Sequence, residues 1–209
     1  SAQDMYDFVS KAFDLAFKYR TPAIILSDGV IGQMMEKVEM SEQKPRWTDE
    51  EIKKNSPWAC TGKTNDRKQN IITSLALDAA VHEKLNERLQ AKYKKMEEED
   101  VLFDSYMTED AEHLLVAYGS MSRICQSVVE TARENGIKLG LLRPITLFPF
   151  ANKEIDRLVP QLKSIMSVEL SAGQMVEDVR LVVNGRIPVN FYGRLGGIVP
   201  SPEEVYEAF

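Results

Sequence analysis

From Glu112 to the C-terminus the chain alternates short apolar runs with amphipathic stretches, and few architectures accept that rhythm. The run His113-Leu114-Leu115-Val116-Ala117-Tyr118 ends at Gly119-Ser120; Ile124, Cys125, Val128, Val129 and Ala132 then share one helical face until Asn135-Gly136 stops it. A second run, Ile137 to Leu142, ends at Arg143-Pro144 and leads to a helix around Asn152 to Leu162. The third, Ser164 to Leu170, precedes a helix from Gly173 to about Asn184, and after Gly185 the run Ile187 to Tyr192 supplies a fourth strand. Strands joined through helices by short connections make βαβ units, so the expected fold of residues 111–209 is α/β: a mostly parallel sheet flanked by helices.

The first 110 residues lack that rhythm. Met5, Phe8, Val9, Ala12, Phe13, Ala16 and Phe17 recur at helical spacing, and Thr21-Pro22 ends the helix. Ala23-Ile24-Ile25-Leu26 reads as a buried strand closed by the turn signal Ser27-Asp28-Gly29, with room for a short helix between Val30 and Met40. One helix and one strand cannot make a sheet, so residues 1–40 are expected to find cover on the main domain or on another chain. Residues 41–110 read as a polar connector. Its first part holds Pro45, Trp47, Pro57, Trp58 and Gly62 without a period; Asp78 then caps a long helix with a narrow stripe of Val81, Leu85, Leu89, Tyr93 and Met96. The acids Glu97 to Asp100 oppose the macrodipole where that helix ends, so its last turn is expected to fray.

Candidate functional residues gather at strand ends, where open α/β sheets present ligands. Gly119 and Ser120 offer amide N–H groups at a helix start and suit a small anion; the plainer and favoured reading makes Ser120 an N-cap. Glu169, before Ser171-Ala172-Gly173-Gln174, suits an acid, a base or a clamp on Arg143, but is more simply a cap for the next helix. The loop from Arg143 and Pro144 to Phe150 is stiffened by two prolines and fits either docking or a lid over the domain's own core. Gly193, Arg194, Gly196 and Gly197 allow close backbone approach to a ligand or a neighbouring subunit.

Other chemistries find little support. Thr61-Gly62-Lys63-Thr64 looks like the end of a phosphate-binding loop, yet Pro57 stands where its first glycine belongs and no apolar strand precedes it. His82 and His113 lie far from each other and from Cys60 and Cys125, so no metal or triad spacing exists, and two cysteines cannot hold an iron–sulfur cluster. With 26 Lys and Arg against 32 Asp and Glu there is no basic footprint for nucleic acid, and no apolar run is long enough to span a bilayer, so a cytoplasmic protein is expected.

Three blocks in order, Leu141 to Phe150, Val168 to Arg180 and Tyr192 to Gly197, resemble the C-terminal half of the α subunit of 2-oxoacid:ferredoxin oxidoreductases, most closely the 2-ketoisovalerate type. The resemblance implies a transketolase C-terminal-like domain over 111–209 that serves mainly subunit contacts, and it tilts the Arg143 loop toward docking. It also implies that residues 1–40 are the tail of a preceding thiamine-diphosphate-binding domain. The intact complex would use thiamine diphosphate, Mg²⁺, coenzyme A and iron–sulfur clusters, none held by this chain. Its partners would be thiamine-diphosphate-binding β, γ and ferredoxin-like subunits, with a homo-oligomer of the whole. The competing reading is a self-contained small-molecule module with a pocket at Gly119, Arg143, Glu169 and Gly193.

Overall fold

The computed structural model describes residues 1–42, 47–63 and 65–209, so Pro45 and Thr64 lie outside the described residues. In chain order it holds α1 (Ala2–Tyr19), α2 (Gly29–Gln33), α3 (Asp49–Asn55), α4 (Ala79–Glu99), β1 (Phe103–Tyr106), β2 (His113–Val116), α5 (Gly119–Glu134), β3 (Leu139–Pro144), α6 (Asn152–Leu158), β4 (Ser164–Glu169), α7 (Met175–Val183), β5 (Val189–Gly193) and α8 (Pro202–Ala208). Two units separate by their contacts: residues 1–38 with 92–209, and residues 39–91.

The sheet has the order β1-β3-β2-β4-β5. Strands β2, β3, β4 and β5 run parallel, and β1 joins antiparallel at one edge. The period of two along β2 explains the layers: Leu114 and Val116 face one cluster, with Leu142, Ile165 and the α6 and α7 residues Ile155, Leu158, Val179 and Val183. Leu115 faces the other, with Leu141, Met166, Val168 and the α5 and α8 residues Cys125, Val128, Val129 and Val205. Helices therefore cover both faces, as the strand–helix rhythm requires. Each such buried aliphatic side chain contributes about 1.5–3 kcal/mol, against about 0–1 kcal/mol for a surface ion pair, so the two apolar layers hold the sheet together.

The first forty residues depart from expectation. Ala23 to Leu26 is not a strand, and Ile24 and Leu26 are 80% and 71% exposed. An apolar run becomes a strand only when a partner edge satisfies its backbone, and no described segment offers one. The helix expected from Val30 onward is short, α2 alone, with Asp28 as its N-cap through a 2.9 Å bond from Ile31 N–H.

Within the connector, Asp78 caps α4 as expected, its Oδ1 accepting from Val81 N–H at 3.0 Å. The last turn does not fray: it is intact to Glu99, because Lys18 pairs with Glu99 at 3.1 Å and Lys95 with Glu99 at 3.8 Å. Asp100 accepts from both Lys18 and Tyr19. Three elements went unforeseen: α3, β1 and α8.

Candidate functional site

β2 lies in the middle of the sheet. The crossover after it leads to β3 on one side, and the next leads back past it to β4 on the other. The C-terminal ends of β2 and β4 thus flank the topological switch point, the crevice in which open α/β sheets hold their ligands. Two helices start there, α5 after β2 and α7 after β4, each presenting unsatisfied N–H groups and the positive end of its dipole.

At α7 the partner is Glu169, the last residue of β4 and only 1% exposed. Its Oε2 accepts from Gln174 N–H at 2.9 Å, Met175 N–H at 3.1 Å and Ser171 Oγ at 2.9 Å; its Oε1 accepts from Val176 N–H at 2.9 Å and Ser167 Oγ at 3.0 Å. Burial alone would raise its pKa, but these bonds to the charged form outweigh it and hold the carboxyl below the ordinary value. With five donors bound, Glu169 has no capacity left for a substrate proton. Its charge, after burial, helps raise the pKa of half-buried Tyr118 and of Asp178.

At α5 the partner comes from 92 residues earlier. Asp28 spans two helices: Oδ1 caps α2, and Oδ2 accepts from Ser120 N–H at 3.0 Å. Gly119 makes room by adopting φ +60°, and a Cβ there would stand 3.0 Å from Asp28 Oδ2. Burial raises the Asp28 pKa, yet the N–H bonds from Ile31 and Ser120 bring it below the usual aspartate value. Ser120 is not the N-cap expected from sequence: it is the second residue of α5, Tyr118 occupies the cap position, and no side chain of the local sequence caps the helix. Other N-terminal carboxylates dock beside it, Asp4 on Arg143 at 2.8 Å and Glu36 on Arg123, while buried Ile31 anchors the segment.

The clamp of Glu169 on Arg143 is absent, because β2 lies between β3 and β4. Arg143 instead bonds Asp104 at 3.1 Å and Asp4. Pro144 is buried at the end of β3, and the loop after it does two things: Phe150 joins the apolar core, while Phe148 stays 62% exposed against the edge of Tyr93. Gln174 contributes its N–H to Glu169 rather than its side chain. A Cβ at Gly193 would approach the Ser171 carbonyl oxygen to 2.4 Å, so this position demands glycine. Arg194 sends its N–H to the Glu169 carbonyl and its guanidinium to Glu204 at 3.2 Å.

Elsewhere, His113 bonds Ser164 at 2.8 Å at the opposite end of the sheet, and burial pushes the Cys125 thiol up to about 12. In the second unit Arg67 ties down the Thr61-Gly62 turn, and an open groove of about 360 Å³ is lined by Leu75, Val81, Lys84 and Arg88. Among the described residues no three His, Cys, Asp or Glu side chains stand together as metal ligands, and no helix is long and apolar enough to cross a membrane. Sequence reasoning missed Asp28: it was read only as part of a turn, although Asp before a helical Gly-Val-Ile is an N-cap signal.

Comparisons with known proteins bear on both parts of the chain. Residues 1–105 match the family model described as pyruvate flavodoxin/ferredoxin oxidoreductase, thiamine diP-binding, and residues 111–205 match pyruvate:ferredoxin oxidoreductase core domain II. The ketoisovalerate oxidoreductase subunit VorB of Methanothermobacter marburgensis is 45% identical over 94% of this chain and 54% of its own length. That of Methanothermobacter thermautotrophicus is 42% identical over 99% and 57%. The 2-oxoglutarate synthase subunit KorA of Methanocaldococcus jannaschii is 30% identical over 100% and 61%. The chain thus spans about half the length of the curated relatives it matches. Among solved structures, the 2-oxoglutarate:ferredoxin oxidoreductase from Magnetococcus marinus, with 2-oxoglutarate, coenzyme A and succinyl-CoA bound, superposes with a TM-score of 0.54 over 63% of this chain and 23% of that one. At 16% identity that is a likeness of fold. One family model covers half of the sequence and a second most of the remainder, and the chain belongs to the pyruvate flavodoxin/ferredoxin oxidoreductase family.

Proposed function

We propose that this chain is the assembly-bearing half of a subunit in a 2-oxoacid:ferredoxin oxidoreductase. The intact complex converts a branched 2-oxoacid and coenzyme A into acyl-CoA and CO₂, and passes the two electrons released to ferredoxin. The observation that carries the reading is the identity of 45% and 42% to two VorB subunits, against 30% to a KorA subunit of the same family.

The chemistry of the switch point supports an assembly role for this half. Both helix N-termini there are filled by the chain's own carboxylates, so the edge offers no ready pocket, which disfavours a self-contained binding module. Thiamine diphosphate and Mg²⁺ would need free oxygen ligands for the metal, and the residues brought together here do not fit: Glu169 is fully engaged and no described cluster has three metal-ligating side chains. No catalytic step is therefore assigned to this chain. Thiamine diphosphate, Mg²⁺, coenzyme A and iron–sulfur clusters serve the complex through its other parts, in the cytoplasm.

Residues 1–40 belong, in this reading, to the thiamine-diphosphate-binding domain, with 41–110 a connector to the α/β domain. Val9, Phe13, Ile24 and Leu26 are exposed by 49%, 62%, 80% and 71%, and the part of the subunit that this chain does not span would cover them. Phe148, in the loop that follows Arg143 and Pro144, and the turn at Gly193 and Arg194 face further subunits, and the whole forms a homo-oligomer. The test is reduction of a viologen dye with 2-oxoisovalerate, coenzyme A and thiamine diphosphate. The reconstituted complex turns over, with 2-oxoisovalerate preferred to 2-oxoglutarate, and the chain alone does not. Turnover by the isolated chain, or a preference for 2-oxoglutarate, overturns the proposal.

A further inference from the structure

We propose that the connector carries a strand-addition site: the run at residues 71–77, with the groove beside it, takes up an extended acidic segment of another protein chain. Three observations converge on it, all within the unit of residues 39–91, and none depends on the oxidoreductase reading. First, Ile71-Ile72-Thr73-Ser74-Leu75-Ala76-Leu77 holds no charge, proline or glycine, which is the composition of a segment that pairs as a strand. It nevertheless has no regular secondary structure, and Ile71, Leu75 and Leu77 are 76%, 71% and 89% exposed. Second, its backbone is open: among the described residues the run makes one hydrogen bond, from Leu75 N–H to Thr73 Oγ1 at 3.1 Å. The remaining N–H and C=O groups are those that a strand partner satisfies. Third, Val81, Lys84, Leu85 and Arg88, spaced three and four apart on α4, join Leu75 around the open groove of about 360 Å³. Among the described residues neither Lys84 nor Arg88 has an ion-pair or hydrogen-bond partner, in a chain whose net charge is −6.

The charge decides the occupant. Apolar side chains suit the Leu75, Val81 and Leu85 floor, carboxylates suit the two cations, and main-chain bonds to residues 71–77 supply the rest of the affinity. A small ligand would leave most of that edge unpaired, and a second copy of this chain would bring the same uncharged run and the same two cations, so the site selects a different chain.

The experiment is binding of terminally blocked octapeptides to the full 209-residue chain, read by fluorescence anisotropy and by NMR at the amides of Ile72, Ser74 and Ala76. A peptide of alternating glutamate and valine is expected to bind saturably. One of alternating lysine and valine is not, and the fully N-methylated glutamate–valine peptide, which cannot donate to a ladder, is not either. Lys84→Gln combined with Arg88→Gln should weaken binding about three- to tenfold, as loss of two exposed ion pairs does, and since neither side chain has a partner in the chain the variant should melt with the native protein. Leu75→Asp, at an exposed position, should weaken it as well by placing a like charge in the apolar floor. Failure of the glutamate–valine peptide to bind saturably, equal binding of the lysine–valine or N-methylated peptide, indifference to both variants, or a dimer of the chain alone with residues 71–77 protected from exchange overturns the proposal.

Discussion

The two helices that begin at the switch point solve the same electrostatic problem in opposite ways. α7 is closed by Glu169, which lies five to seven residues from the N–H groups it serves, is almost fully buried, and accepts five bonds. α5 is closed by Asp28, which is half-buried, 92 residues distant, and offers one oxygen to one N–H. The first cap forms whenever the β4–α7 turn forms, so it belongs to the fold itself. The second exists only while the N-terminal segment is docked, so it reports on the state of that segment.

Substitutions can break this contrast. Glu169→Ala should have the largest effect, since it strands the N–H groups of Met175 and Val176 in a buried place: a loss of about 3 kcal/mol or more by urea unfolding. Gly193→Ala, which forces a Cβ against the Ser171 carbonyl beside the same turn, should cost about 1–3 kcal/mol. Asp28→Ala should cost about 1 kcal/mol, as loss of an ordinary cap does. A loss from Asp28→Ala equal to that from Glu169→Ala would erase the distinction between the two ends.

The pH dependence sharpens the contrast. Glu169 has a folded pKa below its ordinary 4.5, so its stabilisation is fully present above that value and is lost as the pH falls through the folded pKa. The stability gap between the native chain and Glu169→Gln should accordingly narrow below about pH 4.5. Asp28 follows the same sign from its ordinary 3.8 downward, with a smaller gap. Glu36→Gln, which weakens both the bond from Ala2 N–H at 2.8 Å and the pair with Arg123, should lower the melting temperature less than Asp28→Ala does while hastening amide exchange in α2.

The difference between the two caps also explains what was legible in the sequence. Local signals were readable: Glu169 before Gly173-Gln174, Asp78 before α4, and the period-two alternation of Leu114, Leu115 and Val116 all act over a few residues. Thr48 with Glu51 and Ser201 with Glu204 were equally local capping boxes, and attention to them would have found α3 and α8. The β1 edge strand carries little apolar signal, because its residues are mostly exposed and it is held by pairing with β3. Nothing in the local sequence couples Asp28 to Ser120, Asp4 to Arg143 or Lys18 to Asp100, since those contacts depend on how a segment with no strand of its own is laid on the sheet edge. The apolar run Ile24-Ile25-Leu26 misled for the same reason: its chemistry asks for a strand, but a strand needs an edge to pair with.

The most direct measurement is native-state hydrogen exchange at the two helix starts. Val176 N–H, bonded to Glu169, should exchange only through opening that approaches global unfolding, while Ser120 N–H, bonded to Asp28, should exchange faster through local release of the N-terminal segment and faster still in Asp28→Ala. Equal protection at the two amides, unchanged by Asp28→Ala, would contradict the division between a cap built into the sheet and one supplied by a docked segment.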